Sequence, residues 1–261
     1  MESRRSFLKV AGVAALGLGT TPVLDAFAAE QGDGDPQPQV KQGEKALKAK
    51  QWAMVIDTRK LQTSADLEPL IEVCNKIHNI PHFENKNHEI KWIWETEFHN
   101  AFPDKTNNFL NESVEHRPFL ALCNHCENPP CVRACPTKAT FKRESDGIVL
   151  MDFHRCIGCR FCMVACPYGA RSFNFRNPEP FIVEKNLAFP RRMKGVVEKC
   201  NFCAERLAVG EMPACVEASG GAIAFGDLYD PHSEVRELLK ENFTIRRKQV
   251  LGSEPSVYYI V

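Results

Sequence analysis

The stretch Cys156–Pro167 reads CIGCRFCMVACP and follows the pattern C-x2-C-x2-C-x3-C-P. Its four cysteines are Cys156, Cys159, Cys162 and Cys166. Three thiolates in one tight loop can bind one side of a metal–sulfur cube, while the fourth leaves on a short helix and reaches a neighbouring cube. The proline restricts the residue before it and ends the run. This spacing is typical of bacterial ferredoxin-type segments that bind a pair of 4Fe–4S clusters.

Two more cysteine groups flank this stretch. The first is Cys123-x2-Cys126-x4-Cys131-x3-Cys135-Pro136, and the last is Cys200-x2-Cys203-x11-Cys215. Ser219 stands where a fourth member of the last group would fall, and of the 12 cysteines only Cys74 lies outside the groups. The repeated spacing indicates several clusters of the same kind.

Crossing the fourth cysteine of each of the first two groups to the other group gives two ligand sets. The cluster A site is predicted to contain Cys123, Cys126, Cys131 and Cys166. The cluster B site is predicted to contain Cys156, Cys159, Cys162 and Cys135.

The N-terminus is predicted to be an export signal. Ser3–Lys9 contains a twin arginine, an apolar run from Val10 to Gly19 follows, and Ala26–Ala28 is a small-x-small cleavage site. The alternative is a short membrane anchor, but a bilayer span needs about 20 apolar residues. Proteins exported by this route cross the membrane already folded, which suits a protein whose cofactor is inserted in the cytoplasm. We therefore expect a periplasmic protein.

Two other uses of the cysteines must be weighed. Structural zinc is held by two separated C-x2-C pairs, which differs from a run of three plus a fourth. An even number of cysteines in an exported chain is also compatible with disulfides. However, disulfide scaffolds are usually short and poor in core, whereas this chain has 261 residues of which 44% are apolar. The spacing favours iron–sulfur clusters.

Composition and local patterns outline the rest of the chain. Lys+Arg and Asp+Glu both number 33, and nothing indicates a nucleic-acid partner. We expect strands at 53–56, 89–97 and 118–122, a helix at 67–78, and a hairpin joining 140–143 to 148–151 through Asp146-Gly147. Near the end we expect a helix capped by Asp230 and strands at 244–247 and 257–261.

The cysteine groups resemble those of the four-cluster subunits that serve molybdopterin oxidoreductases and quinone-reactive membrane subunits. That resemblance implies an α+β fold of two fused ferredoxin-like lobes with small sheets and short helices. In that family a first group pairs with the last in the crossed manner. Here the positions of one such cluster are occupied by Leu61, Ser64, Leu67 and Ser219. The resemblance therefore implies that one of four cluster sites is lost.

The partner of the lost cluster keeps a full set of ligands. The cluster C site is predicted to contain Cys200, Cys203, Cys215 and Cys74. Cys74 as an ordinary buried thiol is the alternative. With Cys74 as a ligand, the 12 cysteines make three complete 4Fe–4S clusters and none is left over.

These assignments divide the chain into predicted regions. They are a signal peptide (1–28), a flexible leader (29–50), a one-cluster lobe (51–116 plus 195–226), a two-cluster lobe (117–175) and a C-terminal helix and strand tail (227–261). The vacated cluster position is expected to be filled by Leu61 and Leu67.

A closer resemblance rests on Cys123–Cys126, Asp152–Cys156, Lys199–Arg206 and the ending Ser256–Val261. These segments are similar to those of the periplasmic iron–sulfur subunits of the Dsr membrane complex of sulfur metabolism. The resemblance implies an integral membrane quinone-reactive subunit, a periplasmic multihaem cytochrome c and other subunits as partners. The sequence contains no G-x-G-x-x-G, P-loop, G-x-S-x-G or C-x-x-C-H motif, so we expect an electron-transfer subunit without a substrate site of its own. An electron-delivering β subunit of a molybdopterin reductase is the alternative, and a redox-inactive structural module is a third reading.

Basic residues are in excess around the cysteines. We expect this charge to offset the negative clusters and raise their potentials, with Arg133 and Arg160 as the residues to test. A solvated basic face is the alternative reading. His125, inside the first group, is expected to lie beside a cluster without being a ligand, and Trp92 and Trp94 to be core or interface residues.

Overall fold

The computed structural model describes residues 43–261. The predicted signal and residues 29–42 of the predicted leader lie outside the described part. The strands are β1 (Trp52–Asp57), β2 (Ile93–Glu97), β3 (Pro118–Leu122), β4 (Thr140–Lys142), β5 (Val149–Met151), β6 (Ser172–Phe173), β7 (Val197–Glu198), β8 (Ile223–Asp227), β9 (Thr244–Ile245) and β10 (Val257–Ile260). The α-helices are α1 (Ser64–Ile77), α2 (Phe98–Ala101), α3 (Glu112–Glu115), α4 (Pro130–Arg133), α5 (Phe161–Ala165), α6 (Ala204–Leu207), α7 (Ala214–Ala218) and α8 (Glu234–Glu241). Short 3-10 turns occupy Lys86–His88, Glu179–Phe181 and Gln249–Leu251.

A four-stranded sheet with the order β8-β1-β10-β9 joins distant parts of the chain. β1 pairs antiparallel with β8, with Met54 opposite Phe225, and parallel with β10, with Met54 opposite Val257. Every residue of β1 is buried, as expected for a central strand covered on both faces. The last strand, which belongs to the predicted C-terminal helix and strand tail, is therefore an integral part of this sheet.

The remaining strands form two-stranded pairs. β2 pairs with β3, β4 with β5, and β6 with β7, all antiparallel. The strand predicted at 118–122 and the hairpin through Asp146-Gly147 are confirmed. The strand predicted at 89–97 begins only at Ile93, and Trp92 just before it is buried.

Two helix starts show how capping sets the boundaries. Asp66 accepts hydrogen bonds from the backbone N–H and the hydroxyl of Thr63, at 2.9 and 2.8 Å, and α1 begins at Ser64. Before α8, Ser233 Oγ accepts from the N–H of Arg236, so Ser233 is the N-cap. The predicted cap at Asp230 is wrong because the chain makes another turn before the helix starts: the N–H of Ser233 donates to the carbonyl of Asp230.

The two leucines that were expected to fill a vacated cluster position are buried. Leu61 and Leu67 are 5% and 0% exposed and belong to the main hydrophobic core. Ser64 is on the surface and donates to Glu95, and Ser219 Oγ accepts from the N–H of Ile223. Burial of the two leucine side chains contributes apolar packing to that core.

The main core extends from the large sheet to the cysteine loops. It contains aromatic side chains such as Trp92, Phe102, Phe202 and Tyr259, together with cysteines of the first and third groups. The predicted α+β class, with small sheets and short helices, is confirmed. Among residues 43–261, no helix has the length and apolar character needed to cross a membrane.

Candidate iron–sulfur sites

The four cysteines predicted for the cluster A site line one cavity: Cys123, Cys126, Cys131 and Cys166. Cys123 follows β3 directly, Cys131 lies on α4 and Cys166 ends α5. Burial and the neighbouring thiolates raise the pKa of Cys126 to about 12. A set of four thiols that repel one another when ionised needs a positive group between them, and an iron–sulfur core is such a group.

The structure brings Cys74 to the third cysteine group. Cys74 lies in the last turn of α1 and is 5% exposed. Burial first, and then the charges of Cys200, Cys203 and Cys215, raise its pKa well above the usual thiol value. Burial also raises the pKa of Cys215, to about 11. All four residues predicted for the cluster C site therefore share one buried environment.

The cluster B site is the most exposed of the three. Cys162 lies on α5, where burial and the charges of Cys131 and Cys135 raise its pKa. Cys156 packs against the small hydrophobic group that contains Cys162. Cys159 is exposed in the loop between them. The structure therefore places Cys135 near Cys162, packs Cys156 against the hydrophobic group that contains Cys162, and leaves Cys159 exposed to solvent.

Site A is the neighbour of both other sites. The charge of Cys123 raises the pKa of Cys200, which links sites A and C, and the charge of Cys131 raises that of Cys162, which links sites A and B. Burial of the cysteines decreases from site C through site A to site B. Adjacent sites of this kind suit stepwise passage of single electrons.

Each C-x2-C loop turns by the same backbone device. The residue before the second cysteine has a positive φ in all three groups: 41° at His125, 69° at Gly158 and 55° at Phe202. Such a conformation costs of order 1–3 kcal/mol for a residue other than glycine, so other contacts must hold it. At Gly158 a Cβ would lie 2.3 Å from the carbonyl oxygen of Gly195, and only glycine fits.

His125 and Phe202 occupy equivalent positions in the A and C loops and stack on each other, with ring centroids 3.7 Å apart. His125 Nδ1 accepts a hydrogen bond from the N–H of Val149 at 3.1 Å, so the neutral ring carries its proton on Nε2. Burial and the charge of Lys199 hold the pKa of His125 well below its usual value. The ring is therefore a neutral contact between two cysteine loops.

The buried polar groups and the donor set both fit iron–sulfur clusters. All twelve cysteines are free thiols, so disulfides do not explain their grouping. His125 Nε2 and both amide atoms of Asn124 are buried without a hydrogen-bond partner within the described residues. Cluster and cysteine sulfurs accept hydrogen bonds, and thiolates are the ligands that such clusters select.

Two buried cations lie between the cysteine groups, and the sequence reasoning missed both. Arg171 is 5% exposed, donates to Thr140 Oγ1 at 2.8 Å and is flanked by Cys123, Cys131 and Cys162. Lys199 is 3% exposed and donates to the carbonyls of Val149 and Cys200. The only hint of their role was their position, just after Cys166 and just before Cys200.

The arginines named from the sequence lie elsewhere. Arg133 and Arg160 are exposed, and the Arg160 guanidinium lies 5.3 Å from the ring centroid of Phe173. Charges in water are screened, whereas buried charges act at a lower dielectric. The expected electrostatic effect on the clusters therefore falls to Arg171 and Lys199.

A network of buried polar side chains contacts Cys74 through His78. His78 lies 3.5 Å from Cys74 Sγ through Nδ1 and 2.8 Å from Glu205 Oε1 through Nε2. Its ring stacks on Trp92, whose indole N–H donates to Glu198 at 2.8 Å. Glu198 is paired with the guanidinium of Arg192 at 2.7 Å, and both side chains are almost completely buried. This network fixes the end of α1 that carries Cys74.

Sequence comparisons with known proteins also indicate iron–sulfur clusters. Residues 114–228 match a family described as a 4Fe-4S dicluster domain. The chain is 40% identical to the Hdr-like menaquinol oxidoreductase iron-sulfur subunit 1 of Archaeoglobus fulgidus, over 99% of this chain and 98% of that protein. It is 36% identical to the menaquinone reductase iron-sulfur cluster-binding subunit of Nitratidesulfovibrio vulgaris, over 80% of this chain and 88% of that protein. It is 32% identical to a tetrathionate reductase subunit of Salmonella typhimurium, over 99% of this chain and 88% of that protein. The chain therefore belongs to the family of iron–sulfur subunits that contain a 4Fe–4S dicluster domain.

Proposed function

We propose that this protein is the periplasmic electron-transfer subunit of a membrane-bound, quinone-linked redox complex of dissimilatory sulfur metabolism. It passes electrons between a quinone-reactive membrane subunit and a multihaem cytochrome c through three 4Fe–4S clusters. Each cluster, when bound, supplies a one-electron carrier. The protein's residues hold the clusters in order, exclude water from them and adjust their potentials.

The observation that carries this proposal is the adjacency of the A set of cysteines to both other sets. The C site is closed within the core, the A site shares neighbours with both others, and the B site reaches the surface at Cys159. An electron carrier needs at least one site near a partner and a neighbouring site to which the electron can pass. The exposed Cys159 and the contacts of the A set with both other sets support these two requirements.

The names of the relatives support a quinone-linked complex. Two of the relatives above are named as a menaquinol oxidoreductase subunit and a menaquinone reductase subunit. The sequence similarity to the Dsr family and the twin arginine at Arg4 and Arg5 support sulfur metabolism and the periplasm. The alternative, a β subunit of a molybdopterin reductase, is supported by the similarity to the tetrathionate reductase subunit.

Iron quantification tests the number of clusters. Anaerobically purified protein should contain about 12 iron atoms per chain, four for each of three clusters, with EPR signals after reduction. About sixteen would refute the loss of the fourth cluster. About eight would remove Cys74 and the third group from the ligand set. A visible absorbance that does not bleach with dithionite would refute electron transfer altogether.

Purification of the native complex tests the partners. A tagged chain, extracted from membranes with a mild detergent, should bring down a multispan membrane protein and a haem-staining cytochrome. A large molybdopterin subunit in their place would favour the alternative function. The double substitution Arg4→Lys and Arg5→Lys should leave the protein in the cytoplasm, and unchanged export would contradict the predicted route.

A further inference from the structure

Three side chains at one end of the β2–β3 pair form a cluster outside the iron–sulfur sites. Glu97 ends β2, His99 lies on α2, and His116 follows α3. Glu97 Oε2 lies 3.2 Å from His99 Nδ1 and 3.4 Å from His116 Nδ1. We propose that these three residues form a binding site for a late first-row divalent cation such as Zn²⁺.

The backbone brings the three residues together. In the antiparallel register Glu97 lies opposite Pro118, so His116 comes back beside the end of β2. The N–H of Phe98 donates to the carbonyl of Arg117 at 3.1 Å, which continues the pairing by one step. The side chain of Phe98 is buried in the main core. The positions of all three ligands therefore follow from a paired and anchored segment.

The distances fit a tetrahedral ion. Zinc binds histidine nitrogen and carboxylate oxygen at about 2.0–2.2 Å, so two such ligands on one tetrahedron lie about 3.3–3.6 Å apart. The two O···N separations, 3.2 and 3.4 Å, are close to that length. All three ligand atoms lie within 4.8 Å of one another. The side chains of His99 and His116 are 33% and 61% exposed, so both imidazoles have room to adjust around an ion.

The ligand types select the ion. Two imidazoles and one carboxylate suit zinc, copper or nickel, whereas calcium and magnesium prefer oxygen ligands. Three protein ligands leave one position of a tetrahedron open to water or to a donor from another molecule. His99 Nδ1 also lies 3.4 Å from the carbonyl oxygen of Glu115, a contact that a metal ion bound at Nδ1 would replace. The alternative is a set of hydrogen bonds from two imidazoles to Glu97 without a metal.

Zinc binding to the cluster-loaded protein separates these two accounts. Anaerobic protein with its full iron content is stripped of loose metal with a chelator and then dialysed against Zn²⁺. We expect one zinc per chain in addition to the iron. Changes to groups behind a metal ligand already weaken binding about 10–100-fold, so His116→Ala or Glu97→Gln should weaken it at least about tenfold. Glu97→Gln is informative because its amide oxygen still accepts hydrogen bonds.

His232→Ala is the matched control, because His232 is an exposed histidine on the loop before α8. Its zinc binding should equal that of the wild type. X-ray absorption at the zinc edge should show nitrogen and oxygen neighbours. No zinc uptake by the wild type, sulfur neighbours, or full uptake by a His99→Ala/His116→Ala variant would overturn the proposal. Iron content and bleaching by dithionite are measured on the same samples, so failure of the electron-transfer function would be seen separately.

Discussion

Substitution of Arg171 tests how the protein sets the reduction potentials of its clusters. Burial disfavours its charge, yet the thiolates of Cys131, Cys162 and Cys123 raise its pKa above the ordinary value. Its charge is therefore permanent and lies beside both the A and B sites. The substitution Arg171→Gln removes that charge while keeping a polar side chain that can donate to Thr140. We expect the potentials of both clusters to become more negative, because the added electron loses a favourable neighbour.

The size of the shift follows from Coulomb's law. At a separation of about 6 Å and an effective dielectric constant of about 20, one unit charge contributes about 3 kcal/mol. Relaxation of the protein and water reduces this, so we take about 1–3 kcal/mol. For a one-electron couple, 59 mV corresponds to about 1.4 kcal/mol. The expected shift is therefore about 40–130 mV towards more negative potential.

A potentiometric titration followed by EPR measures the shift. Arg155→Gln is the matched control. Arg155 directly precedes Cys156 of the B site, but its side chain is 44% exposed and lies 3.5 Å from Asp152. Its shift should stay below about 40 mV, the equivalent of the roughly 1 kcal/mol ceiling of exposed pairs. Arg171→Lys should retain most of the wild-type potential, since it keeps the charge. Equal shifts for Arg171→Gln and Arg155→Gln would refute the reasoning.

Three further substitutions test other parts of the site. Cys74→Ser should lower the iron content by about four atoms per chain and remove one EPR signal, and an unchanged iron content would exclude Cys74 as a ligand. Glu198→Gln leaves the charge of Arg192 buried without its partner and should lower the free energy of unfolding by about 3–5 kcal/mol. The visible absorbance should then be lost at a lower temperature on heating. The double variant Arg192→Met/Glu198→Met should recover much of that stability. His125 has a depressed pKa in the folded protein, so its contribution is complete above the unfolded value of about 6.5 and declines as the pH falls below it, by at most about 1.4 kcal/mol per pH unit. His125→Gln should therefore lose less stability than the wild type between about pH 7.5 and pH 5.5, and parallel losses would contradict a buried neutral imidazole.

Local patterns were reliable where the structure is local. The strand at Pro118–Leu122 and the turn at Asp146-Gly147 were predicted because alternation and turn residues act over a few positions. The C-x2-C loops belong to the same class, since ligand spacing is a property of one tight turn. The N-cap of α8 could not be predicted from residue type, because Asp230 and Ser233 are both favourable N-cap residues. Ser233 is the cap because the chain makes a further turn after Asp230 before the helix begins.

The chemistry of this protein could be predicted from the sequence, because eleven of its twelve cysteines lie in spacings that suit 4Fe–4S clusters. The surroundings of the cysteines became visible only in the folded chain. Folding pairs β1 with β10 across about 200 residues and buries Arg171 and Lys199 between the cysteine sites. It also places Cys74 beside the third group, where the family resemblance had put it. These two kinds of feature differ in range. Ligand spacing depends on neighbouring residues, whereas burial, charge environment and strand pairing depend on segments that meet only after folding.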